Sequence, residues 1–336
     1  MSVFNPKVTP WTVKAEALPG DDIAGQLVFL LRFAILAPST HNTQPWKFEL
    51  GPIGSDEIRL HLDLSRWLRV ADADQRELHL SAGCALENLL IAGEHFGFAP
   101  HVRYFPQPQD ETHVATVRFG KGAQTPAHHR HLFDCIPARH TNHKSYDGRP
   151  VDQATLDLLR SYLVEDDVAL FATSSMTTRR EVDALVVEAD AMQFADTAFR
   201  EELAYWIGQG VFGASWLMSK LAQVSMRYVD LGMHLMRKDA EVLQQSPVLA
   251  ALFTQEDTRR AQVRAGQVFE RLHLLATYLG LSVQPMNQAL QVPELKARLA
   301  SVLPAAGRAI QMLFRMGYAE PEAEHTPRRE LSEMML

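Results

Sequence analysis

The chain has 336 residues, 46% hydrophobic and 22% charged, a composition that suits one large core or two ordinary ones and excludes a mainly disordered protein. Acidic residues outnumber basic ones by 40 to 33, and the net charge of −7 argues against broad electrostatic binding to nucleic acid or an anionic membrane. With only two cysteines, no leader-like N-terminus and no apolar run of membrane-spanning length, we expect a cytoplasmic protein whose partners are small molecules or proteins.

The first third of the chain alternates helical and strand-like patterns. Apolar residues recur at helical spacing over residues 23–37 and 77–96. Alternation typical of half-buried strands covers residues 46–50, 57–63, 101–105 and 113–119, and a Gly-Pro turn makes the first two a predicted hairpin. Asp21 or Asp22 is expected to cap the first helix, which has to end before Pro38, and Gly97 is placed to end the second.

The remainder of the chain repeats this order of elements. A linker rich in Gly, Pro and His at residues 120–131 precedes helical patterns at residues 151–163, 182–191 and 260–279. Strand-like segments lie at residues 168–172, 281–285 and 309–317. Short strands and long helices without regular alternation favour an α+β fold over a doubly wound one.

The two long glycine-terminated helices align with each other. Placing Gly83 over Gly266 also superposes Glu87 on Glu270, Gly97 on Gly280 and several apolar pairs. This match indicates a diverged tandem duplication. Two amphipathic helices that end in glycine also align tolerably by chance, so the decision depends on the motifs that follow.

The most informative motif is residues 37–46, which read Ala-Pro-Ser-Thr-His-Asn-Thr-Gln-Pro-Trp. A helix breaks here into a loop of small polar side chains, which offers backbone and side-chain amides to a planar ligand with polar edges. The alternative is a capped helix end that leads into a strand.

A second motif covers residues 139–151. In an extended stretch Arg139, Thr141 and His143 face one side, where a guanidinium, a hydroxyl and an imidazole can converge on a phosphate. The alternative is a solvated basic loop. A third segment, residues 326–331, carries the basic pair Arg328 and Arg329, which alone would be an ordinary tail.

Together with the helix at residues 83–97 and the ending at 313–318, these motifs resemble, in their order, the nitroreductase-like FMN oxidoreductases. The closest branch is the Acg type, in which two nitroreductase halves are fused, and the resemblance spans nearly the whole chain. It implies an α+β, nitroreductase-like tandem pseudo-dimer with mixed or antiparallel sheets flanked by long helices. The expected halves are residues 1–125 and 126–336.

The resemblance further implies an FMN held at the junction of the halves. Its phosphate would bind Arg139, Thr141 and Arg328 or Arg329, and its ring would meet a loop from the first half and a backbone segment of the second. The ring-binding residues implied are Pro38, Ser39, Thr40 and Asn42, with Gln284, Pro285, Met286 and Asn287. His143 replaces a Lys or Arg that commonly reaches the pyrimidine edge, which predicts weaker or pH-dependent stabilisation of the reduced flavin. Since each half lacks one of the two motifs that the other has, we expect one FMN per chain.

The activity implied is transfer of hydride from NAD(P)H to a nitroaromatic, quinone or similar small acceptor, with no catalytic residue and no metal supplied by the protein. The alternative is an FMN-sequestering or storage protein with little turnover. A hydrolase built on Ser39 and His41 is disfavoured because the chain has no G-x-S-x-G elbow. The fused chain is expected as a monomer or a homodimer.

Three further features have structural explanations. The G-x-G-x-x-G pattern at residues 208–213 follows a helical segment rather than a strand, which argues against a dinucleotide site. His128, His129 and His131 lie in a polar linker without other ligands at metal-binding spacing. The Met-rich segment within residues 208–240 predicts core packing or a lid over the flavin.

Overall fold

The computed structural model describes residues 11, 13, 18–20, 22–122, 131–212, 246–320 and 325–336. The predicted boundary at 125/126, His128, His129 and most of the Met-rich segment lie outside these ranges. No helix in the described ranges has both the length and the apolarity of a membrane span.

The predicted helices and strands occur in the predicted order, together with several elements that the sequence patterns did not indicate. The helices described are α1 (Ile23–Ala34), α2 (Arg76–His95), α3 (Leu132–Cys135), α4 (Gln153–Ser161), α5 (Met176–Ala195), α6 (Thr197–Gly208), α7 (Arg259–Tyr278), α8 (Gln288–Gln291) and α9 (Pro293–Val302). The strands are β1 (Trp46–Leu50), β2 (Glu57–Leu62), β3 (Phe98–Tyr104), β4 (His113–Lys121), β5 (Val168–Thr173), β6 (Val248–Thr254), β7 (Ser282–Pro285) and β8 (Ala309–Gly317).

The strands form two four-stranded sheets of identical topology. Their orders are β1-β2-β4-β3 and β5-β6-β8-β7, and every pair within them is antiparallel. In each sheet a long helix, α2 or α7, connects the second strand to the third. The α+β class and the internal repeat expected from the sequence are therefore confirmed.

Helices α2 and α7 cross at two glycines that correspond in the repeat. A Cβ on Gly83 would lie 2.0 Å from the Val263 carbonyl oxygen, and one on Gly266 would lie 2.1 Å from the Leu80 carbonyl oxygen. Only glycine permits so close an approach of two helix backbones. Since the contact is reciprocal, the two repeats meet about an approximate two-fold axis.

The predicted helix ends are also confirmed. Asp22 caps α1 by accepting hydrogen bonds from the amides of Ala24 and Gly25. Gly97 and Gly280 follow the ends of α2 and α7 with φ of +85° and +72°, a conformation that glycine adopts without strain.

Strand β6 was not predicted. All seven of its residues are buried because it lies inside its sheet and is covered on both faces. A continuous apolar run has no alternation from which a strand can be recognised.

The C-terminal segment packs on the first sheet, although it follows the strands of the second. Phe48 of β1 accepts a hydrogen bond from the Leu336 amide and donates one to the Met334 carbonyl. Met334 is fully buried, and its sulfur accepts a hydrogen bond from the Trp46 indole. The two repeats are thus held together by this C-terminal segment as well as by the crossed helices α2 and α7.

Candidate functional site

The loop after α1 has an unusual backbone. His41, Asn42 and Gln44 have φ near +50°, a left-handed conformation that costs energy for residues with a side chain. Ser39 stabilises the loop, since its hydroxyl accepts a hydrogen bond from the Gln44 amide. The turn buries the Asn42 side chain, whose amide donates to the carbonyls of Val211 and Pro327.

The Arg-x-Thr-Asn segment extends the second sheet. Thr141 forms a parallel bridge to Val283 of β7, and the Asn142 amide donates to the Val283 carbonyl. This pairing directs Arg139, which is 2% exposed, toward the loop of the other repeat. Its Nη2 donates to the Leu36 carbonyl oxygen at 2.9 Å, and its Nε lies 3.3 Å from Oε1 of Glu270.

Arg328 reaches the same place from the C-terminal segment. Its Nη2 donates to the carbonyls of Leu36 and Ala37 at 3.1 Å each, and its Nη1 donates to Oδ1 of Asn42 at 2.8 Å. Within the part of the chain that the structure describes, every acceptor of Arg328 is uncharged, and its Nε has none. Burial and the neighbouring Arg139 hold the pKa of Arg328 well below its usual value.

The pair Arg139 and Arg328 forms what we call the arginine pocket, which has an excess of positive charge. Glu270 of α7 supplies one carboxyl group against two guanidiniums, and all three side chains are buried. Burial raises the pKa of Glu270 to about 7 against the opposing effect of Arg139, so that even this charge is incomplete near neutrality. Buried cations without full compensation are costly, and a phosphate dianion would supply the missing charge through charge-assisted hydrogen bonds.

Stacked rings border the arginine pocket. His325 lies between Trp11 and His140, with ring centroids 3.9 Å and 3.7 Å away, and Arg328 lies over the Trp11 ring. Burial, and then the neighbouring His140 and the two arginines, lower the pKa of His325 to about 3, so this ring adds no positive charge at neutral pH.

Residues 284–287 cover the last two residues of β7 and the two that follow, next to the strand bridge between Thr141 and Val283. Met286 and Asn287 are buried, and Oδ1 of Asn287 accepts a hydrogen bond from the backbone amide of Leu313. Gln284 accepts hydrogen bonds from Arg315, and Pro285 is half-buried.

The loop of the first repeat and this segment of the second meet through Glu77 at the start of α2. Glu77 accepts a hydrogen bond from the Thr40 hydroxyl at 2.7 Å and one from the side-chain amide of Gln291 at 2.9 Å. Gln291 belongs to α8, which directly follows Asn287. The structure thus brings together the loop, the Arg-x-Thr-Asn segment, the segment 284–287 and Arg328.

Two of the predicted site residues are not buried with Arg139 and Arg328. Arg329 contacts the carbonyl of Gln44 and the carboxylate of Asp63, so Arg328 is the arginine that faces Arg139. His143 is exposed. Pro38, Ser39 and Thr40 are half-buried in the loop whose carbonyl oxygens accept hydrogen bonds from Arg139 and Arg328.

Sequence reasoning missed Glu270 and Glu77 as site residues. The alignment of Glu270 with Glu87 was a usable signal, because two carboxyl groups among the apolar positions of buried helices require partners. Glu77 looked only like the polar start of a helix, and nothing local to it indicates Thr40 or Gln291.

The remaining sequence features have structural roles where they are described. His131 stacks on Tyr278 and is hydrogen-bonded to the Tyr162 hydroxyl. Gly208 ends helix α6, as expected, and Gly213 lies outside the described residues. No cluster of three or more potential metal ligands occurs within the described ranges.

Comparisons with known proteins find relatives over nearly the whole chain, although no family model matches. A Mycobacterium tuberculosis protein named putative NAD(P)H nitroreductase is 30% identical over 315 residues, which cover 91% of this chain and 90% of that protein. Acg of the same organism, also named putative NAD(P)H nitroreductase, is 27% identical over 90% of this chain and 93% of its own.

One solved structure that matches nearly the whole chain shows the same fold. A crystal structure from Anabaena variabilis, of a protein named putative nitroreductase, matches 95% of this chain and 92% of that chain with a TM-score of 0.52 and 11% identity. An FMN-dependent nitroreductase from Mycobacterium smegmatis, in complex with NADPH, matches 59% of this chain and 94% of its own with a TM-score of 0.40 and 18% identity.

Proposed function

The chain belongs to the NAD(P)H nitroreductase family, and from that premise we propose that it is an FMN-dependent oxidoreductase. It takes hydride from NADH or NADPH and passes it to a small acceptor such as a nitroaromatic or a quinone. The resemblance stated from the order of sequence motifs is confirmed at the level of family and fold.

The observation that carries the FMN proposal is the arginine pocket at the junction of the repeats. Two buried guanidiniums from separate segments share one backbone acceptor, and one has an Nε without a partner among the described residues. A phosphate monoester fits this donor set, because planar guanidiniums bind oxyanions through paired hydrogen bonds.

The rest of the cofactor is assigned to the elements that meet around Glu77. Arg139 and Arg328, with Thr141, hold the phosphate, while residues 38–42 and 284–287 supply polar groups to the ring from opposite repeats. His143 and Arg329 are less direct candidates, since the first is exposed and the second is paired with Asp63. When bound, FMN supplies the hydride chemistry.

The protein's own contribution is to bind, orient and exclude water. Thr40 and Gln291 are both hydrogen-bonded to the Glu77 carboxylate. These bonds fix the distance between the loop after α1 and helix α8, which directly follows residues 284–287. No nucleophile or general base of the chain is needed. Both cysteines are free and buried, which supports the proposal of a reducing, cytoplasmic setting.

The test begins with the visible spectrum of the purified protein and the FMN released per chain. Anaerobic addition of NADH or NADPH should then bleach the flavin band within seconds, and a nitroaromatic or quinone should restore it. A flavin that binds but stays oxidised with both nucleotides would instead support sequestration, and no flavin after reconstitution with FMN would overturn the proposal.

A further inference from the structure

The approximate symmetry of the fold defines a second position equivalent to the arginine pocket. Glu270 of α7 faces Arg139 at the first position, and its counterpart in α2 is Glu87. Glu87 is also buried, and it faces Arg271, the neighbour of Glu270 along α7. Each repeat therefore places a buried carboxyl group beside a buried guanidinium, but the two guanidiniums have different origins.

The difference arises at one pair of corresponding residues. Asn88 follows Glu87 in α2, whereas Arg271 follows Glu270 in α7. Arg139 comes from an extended segment outside the crossed helices, while Arg271 comes from the helix itself and crosses to Glu87, with Nε 2.7 Å from Oε1. The second position thus contains its own cation.

The acceptors of Arg271 parallel those of the arginine pocket. At the first position the arginines donate to Leu36 just beyond α1, and at the second Arg271 Nη1 donates at 3.2 Å to the carbonyl of Tyr162, which ends α4. Helices α1 and α4 occupy the same place in the two repeats, since each precedes the first strand of its sheet.

The second position also contains its own anion. Both terminal nitrogens of Arg271 bind the Glu165 carboxylate, at 2.9 Å each, so that the guanidinium is bidentate. Glu165 lies in the loop between α4 and β5, as residues 36–45 lie between α1 and β1. Its carboxylate occupies the face of Arg271 that a bound oxyanion would occupy.

We propose that Glu165 is an internal counter-anion at a second, vestigial phosphate position, and that the Glu165–Arg271 pair limits the chain to one flavin. This inference rests on the proposed function, which places the flavin phosphate at the arginine pocket. Removing the Glu165 carboxylate uncovers a site for an oxyanion of the phosphate class at Arg271.

The test measures the thermal midpoint of the FMN-saturated protein as inorganic phosphate replaces chloride at constant ionic strength. In Glu165→Ala the midpoint is expected to rise by a few degrees with phosphate, beyond any rise in wild type, because phosphate binds only the folded protein at the uncovered Arg271. Glu165→Gln, which keeps a side chain in the space, and the double variant Glu165→Ala/Arg271→Met are expected to respond as wild type does. Glu165→Ser replaces the alanine variant if that variant does not fold.

Two results would overturn the inference: a phosphate response of Glu165→Ala equal to that of wild type, or two FMN per wild-type chain. The second result would leave the proposed function intact. If wild type binds no FMN the proposed function fails, whereas the phosphate comparison between variants still reads the Arg271 site directly.

Discussion

Arg139 and Arg328 donate to the same atom, the carbonyl oxygen of Leu36, at 2.9 Å and 3.1 Å. Two guanidiniums repel each other, and a single neutral oxygen compensates neither charge. Their convergence therefore marks the place where we propose that the flavin phosphate binds, between residues from distant parts of the chain.

Replacing either arginine of the pocket should weaken FMN binding. We expect Arg139→Ala and Arg328→Ala each to raise the Kd for FMN on the order of 10- to 100-fold, the usual effect of losing a hydrogen bond to a charged group. Fluorescence titration of the apoprotein measures this. Arg298→Ala is the matched control, because Arg298 is exposed and paired only with Glu188 among described carboxylates; an unchanged Kd in both pocket variants would place the phosphate elsewhere.

Glu270 should make stability depend on pH in an unusual direction. Its pKa is raised by burial to about 7, so between its unfolded value of 4.5 and 7 the folded protein binds more protons than the unfolded one. The free energy of unfolding should therefore fall as pH rises through this window, by about 3 kcal/mol from this group. Urea denaturation of apoprotein at several pH values, compared with Glu270→Gln, isolates the effect; parallel pH profiles for the two proteins would contradict it.

The helix crossing should tolerate no side chain at its centre. Gly83→Ala and Gly266→Ala place a methyl group against backbone oxygens of the other helix, which cannot rotate away. We expect each to lower the free energy of unfolding by at least ~2 kcal/mol in urea denaturation. Gly120→Ala serves as the control with an expected effect below ~1 kcal/mol, since its nearest neighbour, the Ala99 carbonyl oxygen, is 3.5 Å away.

The C-terminal segment should contribute to stability well beyond its length. Met334 is fully buried against the first sheet. We expect Met334→Ala to lower the free energy of unfolding by about 2–5 kcal/mol, as for other large buried side chains. Leu336→Ala, at a position 64% exposed, should change it by less than ~0.5 kcal/mol. Urea denaturation of the wild type and both variants measures these differences. Equal denaturation midpoints for Met334→Ala and Leu336→Ala would show that the segment is only loosely attached.

Local sequence signals predicted most of the elements and the family, but not all of the contacts of the site. Asp22, Gly97 and Gly280 act within their own helix ends, so each could be assigned from neighbouring residues. The sharing of Leu36 by two arginines, and the bridge from Thr40 through Glu77 to Gln291, depend on how the repeats pack. The spacing of apolar residues along the chain gives no information about contacts between the repeats. The buried strand β6 was missed for a related reason, because its pattern reflects a position inside the sheet.

The asymmetry between Asn88 and Arg271 depends on fusion of the two repeats. In a homodimer made from one sequence, each substitution occurs at both symmetry-related positions, so an arginine after the buried glutamate would alter both cofactor sites together. A tandem chain encodes the two positions separately. One repeat can therefore retain its ligand-binding residues while the other exchanges them for an internal ion pair, a freedom that a symmetric assembly does not have.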